Sequence, residues 1–395
     1  MFNHLEMASP DKILSLMGLF RDDPRPEKID LGIGVYRDLS GHTPILACVR
    51  EAEQRLLAQQ DTKTYVSPVG DERFTQALTS LVFGDHEKLE RMSGLQTPGG
   101  AGALRLLAGL LAQARPGGRI WVPDPTWTHH HAVFADAGLD VRVYPYLNGV
   151  THAVDVEAML DTLLRVQPGD VVLLHGCCHN PSGADPTPEQ WRAIVDVIVQ
   201  RGLFPFVDLA YQGFGEGLEQ DAAATRLIAR QVPEMVIAYS CSKNFGIYRE
   251  RTGGAFVLGE TASKAAAAKS QLAVLARLAY SMPPDHGASV VRIILEDEPL
   301  SIAWRVELAT MRDKIQKARL TLADAFRKRT GGDRYGFLAR HKGMFSLLGT
   351  TADDAVRLRE DHAVYVVGDG RINLAGLQLG SVDRFVGAVL SQTRQ

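Results

Sequence analysis

The chain has 395 residues, of which 45% are hydrophobic and 23% charged, with a formal net charge of -3. That balance is ordinary for a globular protein and gives no reason to expect nucleic acid or a membrane surface as partner. The length exceeds what one simple core supports, so two domains are expected. No segment reaches the uninterrupted apolar length of a membrane span, and the N-terminal stretch lacks the basic and apolar regions of a secretory signal. The four cysteines, Cys48, Cys177, Cys178 and Cys241, do not form a disulfide framework, so a reducing cytoplasm is the expected location.

Residues 1–43 read as turn-rich and carry L-G-I-G-V-Y at 31–36. Gly32 and Gly34 alternate with apolar residues there; the spacing serves either close backbone approach to a ligand or a plain extended connection. From Pro44 to Ser80 the pattern is helical, broken by a loop that contains Tyr65. Residues 97–114, TPGGAGALRLLAGLLAQA, are a glycine turn feeding an apolar helix. Such a turn is either an anion site, with free N–H groups at the positive end of the helix dipole, or a tight connection. Four strand-then-loop units follow: RIWVPD into PTWTHHH, VVLLHG into CCHNPSG, LFPFVDLAY into QGFGEG, and MVIAYS into the stretch around Lys243. Thr187, Pro188 and Gln190 spell a capping box before a helix. Ala265–Ala268 is expected on an exposed loop-helix. A long amphipathic helix is predicted from about Pro299 to Arg329, and the tail, with GMFSLLG and AVYVVGDGRINLAG, reads as compact α+β.

Apolar strands alternating with helices predict a mostly parallel sheet covered on both faces, with ligands bound beyond its carboxyl edge. Trp127, Asn180, Asp208 and Lys243 all fall at that edge. A shielded carboxylate at Asp208 wants a cation, either a protonated pyridine nitrogen or a structural arginine. A lysine at a buried strand end, with arginines nearby, should have a lowered pKa and can form a Schiff base. Ser240, Arg251 and the Gly99–Gly100 turn would take phosphate oxygens. Trp127 could cover a flat ring, and Asn180 and Tyr211 could bind a phenolic oxygen. Ring, phosphate, aldehyde and acid partner together describe pyridoxal 5'-phosphate.

The stretches S-C-S-K-N-F-G-I-Y-R-E-R at 240–251, H-G-C-C-H-N-P-S-G at 175–183, D-L-A-Y-Q-G-F at 208–214 and G-R-I-N-L-A-G at 370–376 closely resemble the class I, fold-type I aminotransferases, within them the aspartate/aromatic amino acid subgroup. The resemblance covers essentially the whole chain. It implies that Lys243 holds the cofactor and later moves the proton, and that Asp208 pairs with the ring nitrogen, with His130 behind it. It implies that Tyr211 and Asn180 bind the phenolic oxygen, that Trp127 stacks on the ring, and that Ser240, Arg251 and the Gly99–Gly100–Ala101 turn hold the phosphate. Arg371 is the implied fork for the substrate α-carboxylate, with Gly34, His175 and Phe345 lining the site. Tyr65 and Arg277 are implied to reach the site of the neighbouring subunit of a homodimer, Tyr65 to the phosphate and Arg277 to a distal carboxylate. Pattern and resemblance together give an α/β fold with a large cofactor-binding domain at 44–310. A smaller α+β domain would be built from 1–43 and 311–395.

Four residues depart from the subgroup: Ala101 replaces a Thr or Ser hydroxyl, Met282 an Asn or Ser, and Thr128 and His129 the usual Pro and Asn. The expected reaction is transamination of tyrosine and phenylalanine, with aspartate also accepted and 2-oxoglutarate and glutamate as the partner pair. A strict aspartate aminotransferase is the alternative, on the strength of Val35, Arg37 and Thr43. A dinucleotide-dependent dehydrogenase lacks its glycine fingerprint, and the retained Lys243, Asp208 and Arg371 argue against a non-catalytic binding protein. His129–His131 and the His175, Cys177, Cys178, His179 group lack metal-site spacing, so no metal is expected.

Overall fold

The apolar runs form the inner strands of one seven-stranded sheet in the computed structural model, which describes residues 1–7, 12–85 and 87–392. After a two-residue strand β1 (Ile29–Asp30), the sheet takes up β2 (Met92–Pro98), β3 (Arg119–Asp124), β4 (Asp140–Pro145), β5 (Val171–His175), β6 (Phe204–Leu209), β7 (Met235–Ser240) and β8 (Thr252–Leu258). Their order is β2-β8-β7-β6-β5-β3-β4. Pairings from β4 to β7 are parallel, while β8 runs antiparallel to both its neighbours.

The two-residue period of the strands builds a core on each face of this sheet. Val171, Leu173, Val236 and Ala238 join one apolar cluster; Val172, Leu174, Ile237 and Tyr239 join the other. Burial on both faces explains the continuous apolar runs. The edge strand β4 is mostly exposed and carries an Asp140–Arg142 pair, charges that discourage pairing with another chain.

Helices α1 (Lys12–Asp22), α2 (Ala47–Gln59) and α3 (Glu72–Phe83) precede the sheet. Helix α4 (Gly99–Ala114) packs its Ala103, Leu104, Leu107 and Leu111 side over β7 and β8. Helices α5 (His129–Asp136), α6 (Val156–Leu163), α7 (Pro188–Arg201) and α8 (Leu218–Gln231) connect the parallel strands. The capping box at Thr187 and Gln190 is present, and Gly202 ends α7 in the left-handed conformation. Helices α9 (Ala262–Tyr280) and α10 (Asp285–Glu296) lead into α11 (Glu298–Thr330), the 33-residue helix anticipated from the amphipathic stretch. The tail holds α12 (Phe337–Arg340), β9 (Phe345–Leu347), α13 (Ala352–His362), β10 (Val364–Tyr365), β11 (Arg371–Asn373) and α14 (Val382–Gln392). Strand β1 pairs with β10 and β9 with β11, so the first residues and the tail share small sheets.

Three sequence expectations need correction. Residues 1–43 are not all turns, because Lys12–Asp22 is a helix; Gly18 and the following prolines dilute its signal. Ala265–Ala268 is not a loop-helix: it lies in the 19-residue α9, where Ala266 and Ala267 are exposed as expected but Ala265 is fully buried. The anticipated sheet lacked β2, β4 and β8. Glycines and a proline mask β2 and β8, and β4 is an edge strand with an exposed face. Among the described residues no helix is long and apolar enough to cross a membrane.

Candidate active site

A cleft of about 270 Å³ opens at the carboxyl ends of β5, β6 and β7. Lys243 enters it three residues past β7, and Asp208 from the penultimate position of β6. Asn180 and Tyr211 come from the loops after β5 and β6, Arg371 from β11 and Phe345 from β9. Gly34, Gly100, Ala101, Trp127, Ser240 and Arg251 also line it. The four edge placements read from the sequence therefore converge, together with the phosphate and carboxylate candidates.

Lys243 Nζ lies 4.9 Å from the centre of the Tyr211 ring. Burial lowers its pKa to about 8, helped by Arg251 and Arg371 and opposed by Asp208. A minority of the amine, roughly a fifth, is therefore neutral near physiological pH, against almost none for an ordinary lysine. For Asp208, burial alone would raise the carboxyl. The hydrogen bond donated by His130, with the Lys243 cation nearby, outweighs it and holds the group below its ordinary value.

The polar chain behind Asp208 has a fixed direction. The Asn180 backbone N–H donates to His175 Nδ1 at 3.4 Å, so His175 carries its proton on Nε2. That proton goes to Thr126 Oγ1 at 3.1 Å. The Thr126 hydroxyl donates to His130 Nδ1 at 2.8 Å, which leaves His130 Nε2–H to donate to Asp208 Oδ2 at 3.0 Å. Each donor is used once, with neutral imidazoles throughout. Burial, with the neighbouring His130, pushes His175 down to about 3, so it stays neutral. The sequence reading missed Thr126, which touches the cleft only through these bonds. The clue available was its place at the end of β3, beside Trp127.

At the other end of the cleft no side chain caps the start of α4, so its first N–H groups lack intrahelical partners. Gly99 has φ 71°. A Cβ on Gly100 would lie 3.0 Å from Ser240 Cβ, and one on Gly99 2.5 Å from Arg251 Nη2. Only glycine lets the backbone close on these two residues. Arg251 Nη1 donates to Ser242 Oγ at 3.3 Å and to the Tyr248 carbonyl at 3.1 Å. Helix end, hydroxyls and guanidinium form a cradle for a phosphate-sized anion. Ser242 and Tyr248 line the cleft as well and were not singled out from sequence, although both sit in the Lys243 stretch.

Arg371 is buried, against the usual surface placement of an arginine. Its Nη2 donates to the Gly32 carbonyl at 3.0 Å and its Nη1 to Asn180 Oδ1 at 3.5 Å. Its Nε is buried without a hydrogen-bond partner, an unmet donor beside the cleft. The guanidinium also lies 4.6 Å over the Phe345 ring. Asn180 Nδ2 donates to the Tyr211 hydroxyl at 3.3 Å. The L-G-I-G-V-Y stretch is thus used for close approach: Gly32 presents its carbonyl to Arg371, and a Cβ on Gly34 would meet Phe345 Cζ at 2.9 Å.

Trp127 stands between this cleft and an adjoining one of about 360 Å³, with Ile13, Ala132, Pro181 and Val367 on its apolar walls. The three consecutive histidines do point apart. His129 stacks on Trp127 at 4.8 Å, His130 holds Asp208, and His131 is exposed. Arg37 pairs with Asp30 rather than facing the cleft, so its charge gives no ground for a dicarboxylate preference. Tyr65 and Arg277 are not brought to the cleft of their own chain. Tyr65 is 92% exposed and lines a separate groove that includes Met282. Arg277 is exposed on α9 and donates to Ser281 Oγ at 2.6 Å.

The family model described as aminotransferase class I and II matches residues 26–389. An aromatic-amino-acid aminotransferase of Paracoccus denitrificans is 47% identical over 99% of each chain. An aspartate aminotransferase of Salmonella typhi is 44% identical over 95% of this chain and 96% of its own. A solved structure described as an aromatic-amino-acid aminotransferase of Burkholderia pseudomallei, covalently bound to pyridoxal phosphate, superposes with a TM-score of 0.96. It is 37% identical and covers 99% of both chains.

Proposed function

The chain belongs to the class I and II aminotransferases, and from that premise we propose that it moves amino groups between aromatic amino acids and 2-oxo acids, accepts aspartate as well, and uses pyridoxal 5'-phosphate. The observation that carries the reading is the convergence of Lys243, Asp208, Arg371 and the α4 cradle on one cleft. The residues fit the cofactor: the cradle suits its phosphate, Asp208 its ring nitrogen, Asn180 and Tyr211 its phenolic oxygen, Trp127 its ring face. When bound, that cofactor supplies an aldehyde for the substrate amine and a ring that takes up the electron pair released at the α-carbon.

The chain's own residues do the rest. Arg371, with its unmet Nε donor, binds the substrate α-carboxylate and orients the α-hydrogen. Lys243, neutral in part because its pKa sits near 8, takes that proton and returns it one atom further on, which is general acid–base work at a matched pKa. The His130–Thr126–His175 chain keeps Asp208 ionised and fixed in orientation. Trp127 and Phe345 exclude water from two sides. Ala101 offers no hydroxyl to the phosphate, so that anchor rests on backbone, Ser240 and Arg251.

The apolar walls about Trp127 support aromatic side chains. The dicarboxylate activity rests on Arg277 arriving from a second copy of the chain, so the proposed active unit is a homodimer that also shares Tyr65. The proposed division into 44–310 and the two chain ends puts Arg371 and Phe345 on a different part from Lys243. A spectral titration of the cofactor-loaded protein with tyrosine, phenylalanine, aspartate and glutamate tests the reading. All four should convert the bound cofactor, with tyrosine and phenylalanine no worse than aspartate. Conversion by the two dicarboxylates alone would establish a strict aspartate enzyme, and conversion by none would remove the proposal.

A further inference from the structure

Behind the loops that carry Asn180 and Tyr211 lies a second cavity, of about 260 Å³, separate from the cleft. Cys177, Asp185, Glu216, Asp221 and Lys342 stand on its walls. Cys177 Sγ, Cys178 Sγ and a carboxylate oxygen of Asp221 lie within 4.8 Å of one another, and both thiols are free. None of the three takes part in the transamination described above. The sequence spacing of Cys177 and Cys178 gave no metal site because the third donor, Asp221, arrives from α8 through the fold.

The cluster has a surplus of acid. Lys342 is paired with Glu216 at 2.9 Å. Asp185 accepts from the Cys178 and His179 backbone at 2.7 and 2.8 Å, and Asp221 from Gly213, Gly215 and Glu216. Two soft sulfur donors, a carboxylate and an entry path are the donor set of a thiophilic cation.

We propose that Cys177, Cys178 and Asp221 bind one thiophilic divalent cation of the Zn²⁺ class, entered from this cavity, and that its binding slows turnover. Two metal–sulfur bonds form as two S–H bonds break. The two protons leave to solvent, and no electron moves. The fourth position faces the cavity and takes water. Bonds of about 2.3 Å to sulfur require the three donors to draw together. Cys178 lies two residues before Asn180, and Asp221 holds the Gly213–Glu216 turn that follows Tyr211. Contraction of the cluster therefore displaces the two groups that hold the cofactor's phenolic oxygen. The binding half of the proposal is independent of the reaction; the turnover half rests on the aminotransferase reading.

Cadmium titration of the full, cofactor-loaded chain tests it, because thiolate-to-cadmium charge transfer absorbs in the ultraviolet whether or not the enzyme turns over. One equivalent per chain should produce the band, and kcat should fall several-fold and recover with chelator. Cys177→Ser should at least halve the band and Asp221→Asn should weaken cadmium binding by on the order of tenfold, while Cys48→Ala and Cys241→Ala should keep both. On unaltered protein, cadmium should shield Cys177 from alkylation and leave Cys48 and Cys241 as they were, which decides the matter if a variant fails to fold. A band undiminished by Cys177→Ser, or no protection of Cys177, overturns the site. Full occupancy with unchanged kcat overturns the link to the loops.

Discussion

At Lys243 the chemistry and the stability of the chain pull in opposite directions. A pKa lowered from 10.5 to about 8 by burial means that the fold disfavours the charged amine. Below pH 8 the lysine is protonated in folded and unfolded chains alike, and the penalty is fully present. Between 8 and 10.5 the unfolded chain holds the extra proton, so stability rises with pH and the penalty disappears. At roughly 1.4 kcal/mol per pKa unit, Lys243→Met should stabilise the cofactor-free chain by about 3 kcal/mol at neutral pH. The gain should fade toward pH 10.5, as urea denaturation at the two pH values would show, and turnover should be lost throughout. Arg371 makes a second case. Removing one partner of a buried, hydrogen-bonded charge pair costs about 2–5 kcal/mol. Arg371→Ala should therefore lower kcat/KM roughly thirtyfold or more for aromatic and dicarboxylic substrates alike, and a loss confined to aspartate would place its role elsewhere. Lys243 and Asp208 stood out in the sequence because a charge beside an apolar strand is conspicuous, whereas Arg371 was singled out only through the resemblance of G-R-I-N-L-A-G. Thr126 was not, because a threonine in a loop carries no such contrast and its partners, His130 and His175, meet it only in space.

Among the elements, α11 carries more than the connection its sequence suggests. Arg319, two-thirds of the way along it, is fully buried and forms no salt bridge with a carboxylate among the described residues. Its guanidinium donates instead to the carbonyls of Leu338, Lys342, Gly343 and Phe345 and to the Ser346 hydroxyl. One planar fork thus fixes the loop that ends in Phe345. Arg319→Leu would strand several buried acceptors, each costing about 1–3 kcal/mol, so a stability loss of at least 3 kcal/mol is expected in denaturant melts. Arg319→Lys should rescue little, having three donors on a point charge. The sequence displayed α11, α7 and the four inner parallel strands because their apolar periods are long and clean. It hid β8, where T-G-G-A-F-V-L pairs as a central strand in spite of its glycines. The small side chains are required there, since a Cβ on Gly253 would come within 2.6 Å of the Gly99 backbone.

On the scale of the whole molecule, one chain leaves its site short of two residues that the sequence assigns to it. Tyr65 is almost wholly exposed and Arg277 stands on an exposed face of α9 beside Leu278, itself 79% exposed. No single-chain reading of sequence or geometry can say which copy supplies a side chain, and this is where legibility stopped. The proposed shared dimer can be tested by mixing. Lys243→Ala and Arg277→Ala chains should each be nearly inactive toward aspartate. Dissociated and reassociated together, they should recover about a quarter of the unaltered activity, because half of the randomly paired dimers contain one intact site of two. No recovery on mixing would return both residues to their own chain.

Strand β8 has a last consequence. It lies antiparallel against β7 with Ser240 opposite Gly253, so the segment 241–251 is a closed hairpin loop. Lys243 stands near one foot of that loop and Arg251 near the other. The two groups proposed to hold opposite ends of the cofactor are therefore the jaws of a caliper, locked at its hinge by the strand ladder. Changing a jaw would alter the grip, but adding or removing a residue between them would reset the gauge. On the proposed reading the backbone sets the length of the cofactor, and the side chains are left to vary what is done with it.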